Sequence, residues 1–219
     1  YWQVGMKPED MEKTAFSSHI GLYQYNVMPF GLCNAPATFE AMMENLLADL
    51  LWKKCLVYLD DVIIFGDSFE TCLSNLEEVL QRIHSKGLKL KPKKCNLFKQ
   101  SITYLGRIIS TEGVKADPKK LTSVAEWGKP SSPKEVRAFL GFCSYYRDFL
   151  PGFSKMSQPM QCLSHWTPGR KKEPFPWGKE QDDSFEAVKA LFRDTPVLSY
   201  PTATGHFILD TDASNDSIG

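Results

Sequence analysis

Two adjacent carboxylates, Asp60 and Asp61, interrupt an otherwise apolar run between Leu56 and Phe65. The flanking valine, tyrosine, isoleucine and phenylalanine residues favour strands, so the pattern predicts a tight β-hairpin whose tip displays both acids. Like charges on so short a turn repel each other unless a cation neutralises them. Mg²⁺ is suited to this, because it prefers oxygen ligands and combines one or two protein carboxylates with substrate phosphates. The run therefore indicates phosphoryl or nucleotidyl transfer, and the alternative is a solvated turn without chemistry.

The elements around these acids follow from the spacing of the apolar residues. The segment Asn34–Pro36 opens a predicted helix, since proline is tolerated in a first turn. The apolar positions of this helix are Phe39, Met42, Met43, Leu46, Leu47 and Leu50. Ser68 is the predicted cap of a second helix. The apolar stripe of this second helix is Leu73, Leu76, Val79, Leu80 and Ile83. With strands predicted at Trp2–Val4 and Gly21–Val27, the order of elements predicts an α+β fold in which helices pack on an antiparallel sheet.

The periodicity becomes helical after Leu105. Asp117 and Ser132 each precede a proline and start two further predicted helices, which form a small helical lobe. The aromatic-rich stretch 139–153 is interpreted as the core of that lobe. The stretch 167–174, rich in proline, glycine and lysine, predicts an exposed linker.

The net charge is zero, but the charges are unevenly distributed along the chain. Between Lys86 and Lys172 there are 18 Lys and Arg against 5 Asp and Glu, while the rest has 8 against 21. Such a basic region attracts a polyanion, and a nucleic-acid backbone is the usual one. The lysines that follow the second helix form either a phosphate track or a merely solvated face. Their position after the acidic hairpin favours the track.

The composition excludes several classes of protein. No apolar run approaches the roughly 20 residues of a membrane-spanning helix, and the first residues show no signal-peptide pattern. The six cysteines include no C-x-x-C pair, and the four histidines form no ligand cluster, so no zinc or redox site is predicted. Reduced, mostly buried thiols indicate an intracellular protein, and we expect a cytoplasmic location.

Four segments besides the acidic hairpin carry a family resemblance. They are Lys13–Phe16 and Val27–Phe39 before the acids, and Tyr104–Ser110 and Phe139–Arg147 after them. Together with Tyr58–Asp61, and in this order, they closely resemble the reverse transcriptase of gypsy-type long-terminal-repeat retrotransposons. The resemblance runs over essentially all 219 residues.

The resemblance implies a polymerase palm with a catalytic, metal-binding pair of carboxylates. Asp60 would be the bridging ligand of Mg²⁺, or of Mn²⁺ in its place, and Asp61 would assist one metal or hold the hairpin. Phe30 and Gly31 would lie against the incoming nucleotide and the template base. Tyr1 would occupy the aromatic position that excludes a ribose 2′-hydroxyl.

The resemblance also implies roles near the middle and the end of the chain. Tyr104, Leu105 and Gly106 would begin the segment that holds the primer terminus. Asp212, in the final predicted strand, would be the first catalytic metal-binding carboxylate of a ribonuclease H-like domain. Asp210 lies on the same face of that strand, so the choice of Asp212 depends on the motif alone.

The implied protein is an RNA-directed DNA polymerase with ribonuclease H, belonging to a retrotransposon polyprotein. It would perform two-metal nucleotidyl transfer onto a primer 3′-hydroxyl. Its partners would be an RNA or DNA template-primer duplex and deoxynucleoside triphosphates, with no membrane. The predicted division is palm 1–112, thumb 113–166, connection 167–204 and the start of the ribonuclease H-like domain 205–219. The residues leave the oligomeric state open.

Two other interpretations are compatible with the same residues. One is a domesticated or decayed copy that binds nucleic acid without catalysis, although intact Asp60 and Asp61 argue against decay. The other is a different metal-dependent enzyme, or a structural domain in which the two acids are incidental.

A first prediction concerns catalysis by this chain alone. By the resemblance, the third palm carboxylate lies before the position of Tyr1, and the ribonuclease H-like part has a single strand before Gly219. We therefore expect that the chain by itself neither extends a primer nor cleaves an RNA/DNA hybrid. A primer-extension assay checks this, and a signal above that of an Asp60→Asn variant would contradict it.

Overall fold

A computed structural model describes residues 1–167, 173–201, 204 and 206. The chain forms two compact units, Tyr1–Lys99 and Gln100–Gly219. The described residues contain seven α-helices and seven short β-strands. The helices are α1 (Pro8–Met11), α2 (Ala35–Leu47), α3 (Phe69–Ser85), α4 (Pro118–Ala125), α5 (Pro133–Tyr145), α6 (Phe153–Gln161) and α7 (Lys179–Leu191). The strands are β1 (Phe16–Ser18), β2 (Gly21–Tyr23), β3 (Cys55–Tyr58), β4 (Asp61–Ile64), β5 (Ser101–Tyr104), β6 (Arg107–Ser110) and β7 (Gly113–Ala116).

The first unit combines two β-hairpins with α2 and α3. Strands β1 and β2 pair antiparallel, as do β3 and β4. Helix α2 supplies half of the buried core residues, mainly through its predicted apolar face. The buried core residues of this unit are Met28, Ala35, Phe39, Met43, Leu46, Leu47, Leu50, Cys55, Val79 and Ile83. The strand predicted at Trp2–Val4 is wrong, because these residues form a turn and bend.

Helix α3 begins where the sequence predicts, and its buried face matches the predicted stripe only in part. The Ser68 hydroxyl accepts a hydrogen bond from the Thr71 amide, so the predicted cap is confirmed. The buried residues of this helix are Asn75, Val79 and Ile83, whereas Leu73 is 45% exposed and Leu80 is 39% exposed. The Asn75 amide donates to the Phe65 carbonyl oxygen at 2.8 Å, which satisfies a polar group on the packed face. Apolar spacing alone therefore predicted the wrong environment for two of the five stripe residues, Leu73 and Leu80.

The second unit is a three-stranded meander joined to the helices α4 to α7. Strand β6 lies between β5 and β7, and both pairings are antiparallel. The predicted caps are confirmed, since Asp117 accepts from the Lys119 amide and Ser132 accepts from the Glu135 amide. The aromatic stretch is the core of this unit, as predicted. Its buried aromatic residues are Phe139, Tyr146, Phe149 and Phe153. They pack with Phe185 of α7 and Phe192 at the C-cap of α7.

The predicted α+β class is confirmed, with three small antiparallel sheets in the described residues instead of one. None of the described helices combines the length and the apolar character needed to span a bilayer. The predicted domain limits stay predictions, and residues 168–172 of the predicted linker lie outside the described residues.

The cysteines are less buried than predicted. Cys55 and Cys143 are buried, but Cys33, Cys95 and Cys162 are exposed. Burial raises the pKa of the Cys143 thiol to about 12, so this side chain stays protonated at neutral pH.

Candidate active site

The acidic turn, residues Leu59 to Asp61, joins β3 to β4. Tyr58 pairs with Asp61, so the loop itself consists of Leu59 and Asp60, while Asp61 is the first residue of β4. The sequence predicts both acids at the tip, and the structure places Asp60 in the loop and Asp61 in the last pair of the ladder. Cys55, at the other end of the hairpin, is buried. The hairpin is therefore anchored at its base and presents its acids at its exposed end.

The two carboxylates are exposed and carry no ion pair. Asp60 and Asp61 are both exposed, and no salt bridge among the described residues includes either of them. The described part of the chain contains no group of three or more His, Cys, Asp or Glu side chains placed to hold a metal ion. Two oxygen-donor side chains nevertheless match the few protein ligands that Mg²⁺ takes when phosphates supply others.

The backbone of the acidic turn adopts an unusual conformation. Leu59 has φ = +54°, in the left-handed region that favours glycine. Residues in such regions cost about 1–3 kcal/mol and persist when their surroundings hold them. Here the Leu59 amide donates a hydrogen bond to the Glu40 carboxylate of α2. Sequence reasoning missed Glu40, because this contact joins residues 19 positions apart and no spacing rule indicates it.

An aromatic cluster, defined by Tyr1, Trp2, Phe30 and Phe39, brings together two of the predicted nucleotide-binding residues. The ring of Phe30 lies 5.5 Å from that of Tyr1 and 5.6 Å from that of Trp2, between centroids. The Tyr1 ring in turn lies 5.7 Å from that of Phe39. Phe30 is 70% exposed although it is held between two rings, so an apolar face remains open to solvent. Trp2 and Phe39 were not predicted as site residues.

Gly31, the third predicted nucleotide-binding residue, continues the chain from this cluster. It has φ = +93°, and a Cβ placed on it would meet nothing within 4 Å. A side chain here would be strained by the backbone conformation, not by crowding. The bare backbone next to Phe30 is thus open to a close approach by a ligand.

Helix α2 connects the aromatic cluster to the acidic turn. Phe39 contacts the Tyr1 ring, and the next residue, Glu40, holds the Leu59 amide. Consecutive Cα atoms are about 3.8 Å apart. Two consecutive residues of α2 thus contact the Tyr1 ring of the aromatic cluster and the Leu59 amide of the acidic turn.

The basic segment, residues 86–99, also belongs to the first unit. Its lysines, all exposed, are Lys86, Lys89, Lys91, Lys93, Lys94 and Lys99. None of them forms a salt bridge within the described residues. Several basic residues of the second unit are paired instead, for example Lys115 with Glu112 at 2.6 Å and Lys129 with Asp182 at 2.7 Å. The lysines that the sequence assigns either to a phosphate track or to a solvated face are thus exposed and outside the salt bridges of the described residues.

The predicted primer-holding residues form a tight turn in the second unit. Leu105 and Gly106 have φ = +49° and +70°, two positive values as in a type I′ hairpin turn between β5 and β6. The Tyr145 hydroxyl donates to the Leu105 carbonyl oxygen. The Tyr146 hydroxyl donates to the Gly106 carbonyl oxygen at 3.2 Å. Two successive carbonyl groups of the turn are thus held by two successive tyrosines of α5 and its C-cap.

Arg107, directly after this turn, supports the same arrangement. Its guanidinium carbon lies 5.4 Å from the centre of the Tyr145 ring, and the group donates to Asp148 at 3.5 Å. Burial of Tyr146 raises the pKa of its phenol, so the hydroxyl remains a donor at neutral pH. Sequence reasoning interpreted these tyrosines only as core residues. Asp212 lies outside the described residues, so its predicted role stays a prediction.

Two segments of the chain match known protein families. Residues 1–109 match the family described as "Reverse transcriptase (RNA-dependent DNA polymerase)". Residues 177–219 match the family described as "RNase H-like domain found in reverse transcriptase". The chain is 41% identical to the Pol polyprotein from transposon 297 and 34% identical to that from transposon gypsy, both of Drosophila melanogaster. These matches cover the whole chain and 20% and 22% of the relatives, so the chain spans about a fifth of their length.

Solved structures show the same fold at lower sequence identity. The foamy viral protease-reverse transcriptase in complex with an RNA/DNA hybrid has a TM-score of 0.77 and 24% identity, covering 91% of this chain and 26% of that one. A variant of that enzyme in complex with double-stranded DNA has a TM-score of 0.80 and 24% identity, covering 89% of this chain and 34% of its own.

The tyrosine contacts lead to a stability prediction. Replacing Tyr146 by phenylalanine keeps the ring but leaves the Gly106 carbonyl without its donor, which should cost about 1–3 kcal/mol if no water replaces it. Urea unfolding of the second unit measures this loss. Tyr25→Phe, which removes an exposed hydroxyl in the first unit, is the control and should change the free energy of unfolding by less than about 0.5 kcal/mol. Equal effects of the two substitutions would show that the Tyr146 hydroxyl contributes nothing.

Proposed function

Because the chain belongs to the reverse transcriptase family and corresponds to a segment of gypsy-type retrotransposon Pol polyproteins, we propose that its first unit forms the metal- and nucleotide-binding part of an RNA-directed DNA polymerase site. The observation that carries this proposal is the exposed, unpaired pair Asp60 and Asp61 on a hairpin that α2 connects to an open aromatic face. Reverse transcriptase and ribonuclease H-like domains generally use divalent metal ions.

Asp60 and Asp61 would hold Mg²⁺, or Mn²⁺ in its place. Their fit rests on the donor set, since both are oxygen ligands and neither is engaged by a cation of the described chain. When bound, the metal would supply charge neutralisation at the phosphates and activation of the primer hydroxyl. Asp60 would be the main ligand, because it lies in the turn itself, and Asp61 would add a second oxygen from the start of β4.

The aromatic cluster would position the nucleotide. Phe30 would present its open face to the base, and Gly31 would let the backbone approach the nucleotide without a side chain. Tyr1 would exclude a ribose 2′-hydroxyl by steric contact. Deoxynucleoside triphosphates are the substrates that these roles imply.

The nucleic-acid partner would be a template-primer duplex. The six lysines of the basic segment would neutralise its phosphates, and Tyr104, Leu105 and Gly106 would hold the primer terminus. The foamy viral enzymes with this fold were solved with an RNA/DNA hybrid and with double-stranded DNA. These are the classes of duplex that we propose for this chain.

A ribonuclease H role is proposed for the end of the chain. The match of residues 177–219 to the RNase H-like family supports it. Asp212 would be the first metal-binding carboxylate of that activity.

A second candidate function is nucleic-acid binding without catalysis. The unpaired lysines favour it, because they would bind a duplex whether or not the acidic turn binds a metal. Metal binding by the acidic turn separates the two candidates.

We predict that the acidic turn binds Mn²⁺ as a probe for the divalent metal. Asp60→Asn should weaken this binding by about tenfold or more, since even changes around the outer ligands of metal sites cost 10–100-fold. Electron paramagnetic resonance of free Mn²⁺ measures the affinity. Asp67→Asn, which changes an exposed acid in the loop after β4, should leave it unchanged. Equal affinities of wild type, Asp60→Asn and Asp67→Asn would mean that the acidic turn is incidental.

We also predict that the basic segment contributes to duplex binding. In a Lys93→Gln/Lys94→Gln variant, the slope of log affinity against log salt should fall by about 0.9 for each phosphate that the variant no longer neutralises. Fluorescence anisotropy of a labelled RNA/DNA hybrid at several salt concentrations gives this slope. The control is Lys7→Gln/Lys53→Gln, which removes two exposed lysines of the same unit outside the segment. If both double variants change the slope equally, the segment has no special role.

A further inference from the structure

Glu40 lies on α2 in a setting that differs from that of the other acids near the acidic turn. Its side chain is half-buried, and its carboxylate accepts the hydrogen bond from the Leu59 amide. Among the described residues it forms no salt bridge with any lysine or arginine. Its carboxylate is therefore directed to the turn that carries Asp60.

The Leu59 amide needs a partner from outside the hairpin. The ladder between β3 and β4 ends at the pair Tyr58 and Asp61, so Leu59 lies beyond the last paired position. No backbone acceptor for this amide occurs among the described residues. A carboxylate acceptor makes a charge-assisted hydrogen bond, which is shorter and stronger than a neutral one.

The conformation of Leu59 determines where Asp60 points. Leucine rarely adopts a φ near +54°, and Leu59 is held there by the closed two-residue loop together with its contact to Glu40. Rotation about the Leu59 backbone moves the next residue, Asp60, as a whole. The hydrogen bond from the Leu59 amide to α2 fixes the peptide plane that enters the two-residue loop, and so limits the conformations open to Asp60.

We propose that Glu40 is the positioning residue of the acidic turn. It acts through Leu59, and it orients the Asp60 carboxylate without being a metal ligand itself. This inference deepens the proposed function and rests on it where metal binding is concerned. The hydrogen bond from the Leu59 amide to Glu40 does not depend on metal binding and can be tested separately.

The hold on Leu59 is tested by amide hydrogen exchange in the whole chain. Glu40→Ala should accelerate exchange of the Leu59 amide by about tenfold or more, because its acceptor is removed. Glu40→Gln keeps a side-chain oxygen at the same position and should restore most of the protection. Glu44→Ala, which removes an exposed acid one turn later on α2, is the matched control and should leave the Leu59 amide as in wild type.

The positioning role is tested by Mn²⁺ affinity in the same variants. Glu40→Ala should weaken binding by about tenfold, as expected when a group that orients a metal ligand is removed, while Glu40→Gln should stay close to wild type. If Glu40→Ala fails to fold, Glu40→Met serves in its place, because methionine has a similar length and a good helix propensity but is only a weak acceptor.

The outcomes separate this proposal from the polymerase proposal. Equal Leu59 exchange in the Glu40→Ala and Glu44→Ala variants would overturn the role of Glu40. Faster exchange with unchanged Mn²⁺ affinity would support the hydrogen bond between Glu40 and Leu59 but overturn the positioning role. Faster exchange in a chain that binds no Mn²⁺ even as wild type would support the hold on Leu59 and would instead refute the metal site of the proposed function.

Discussion

The hydrogen bond between Glu40 and the Leu59 amide is the interaction on which the geometry of the candidate site depends. It ties the acidic turn to α2, the helix that supplies half of the buried core residues of the first unit. The preceding residue, Phe39, contacts Tyr1 and so reaches the aromatic cluster. One well-packed helix therefore contacts both the aromatic cluster and the acidic turn. Because packed cores deform little, this relation should persist without a bound ligand.

A similar arrangement, a leucine turn hydrogen-bonded to a helix side chain, occurs in the second unit. Leu105, like Leu59, is a leucine with a positive φ, and a helix side chain holds its backbone. At the acidic turn a carboxylate accepts from an amide, and at the β5–β6 turn a tyrosine hydroxyl donates to a carbonyl. Unfavourable backbone conformations are typical of functional positions, where surrounding contacts over-determine them. Both turns coincide with positions to which the family resemblance assigns contacts with the substrates.

In the first unit, the acids of the acidic turn and the lysines of the basic segment form no salt bridges, either with each other or with other described residues. Its surface pairs, such as Lys54 with Glu78 and Arg82 with Asp49, lie outside the acidic turn and involve no lysine of the basic segment. The acidic turn and the basic segment are thus both left for ionic partners. Exposed ion pairs contribute little to stability, so leaving these groups unpaired costs the fold little. A divalent cation and a nucleic-acid backbone are the two partners whose charges complement them.

Local patterns were sufficient to predict much of this protein. The acidic hairpin, the helix caps at Ser68, Asp117 and Ser132, and the aromatic core of the second unit all follow from residues close together in the chain. The buried face of α3 followed only in part. Val79 and Ile83 are buried as predicted, but Asn75 is buried too, because its amide is satisfied by a carbonyl that spacing cannot reveal. The sequence by itself thus determined the elements and the chemistry of the exposed acids. Only the tertiary structure decided that Glu40 holds Leu59 and that two tyrosines hold the β5–β6 turn, because these hydrogen bonds join residues 19 and 40 positions apart.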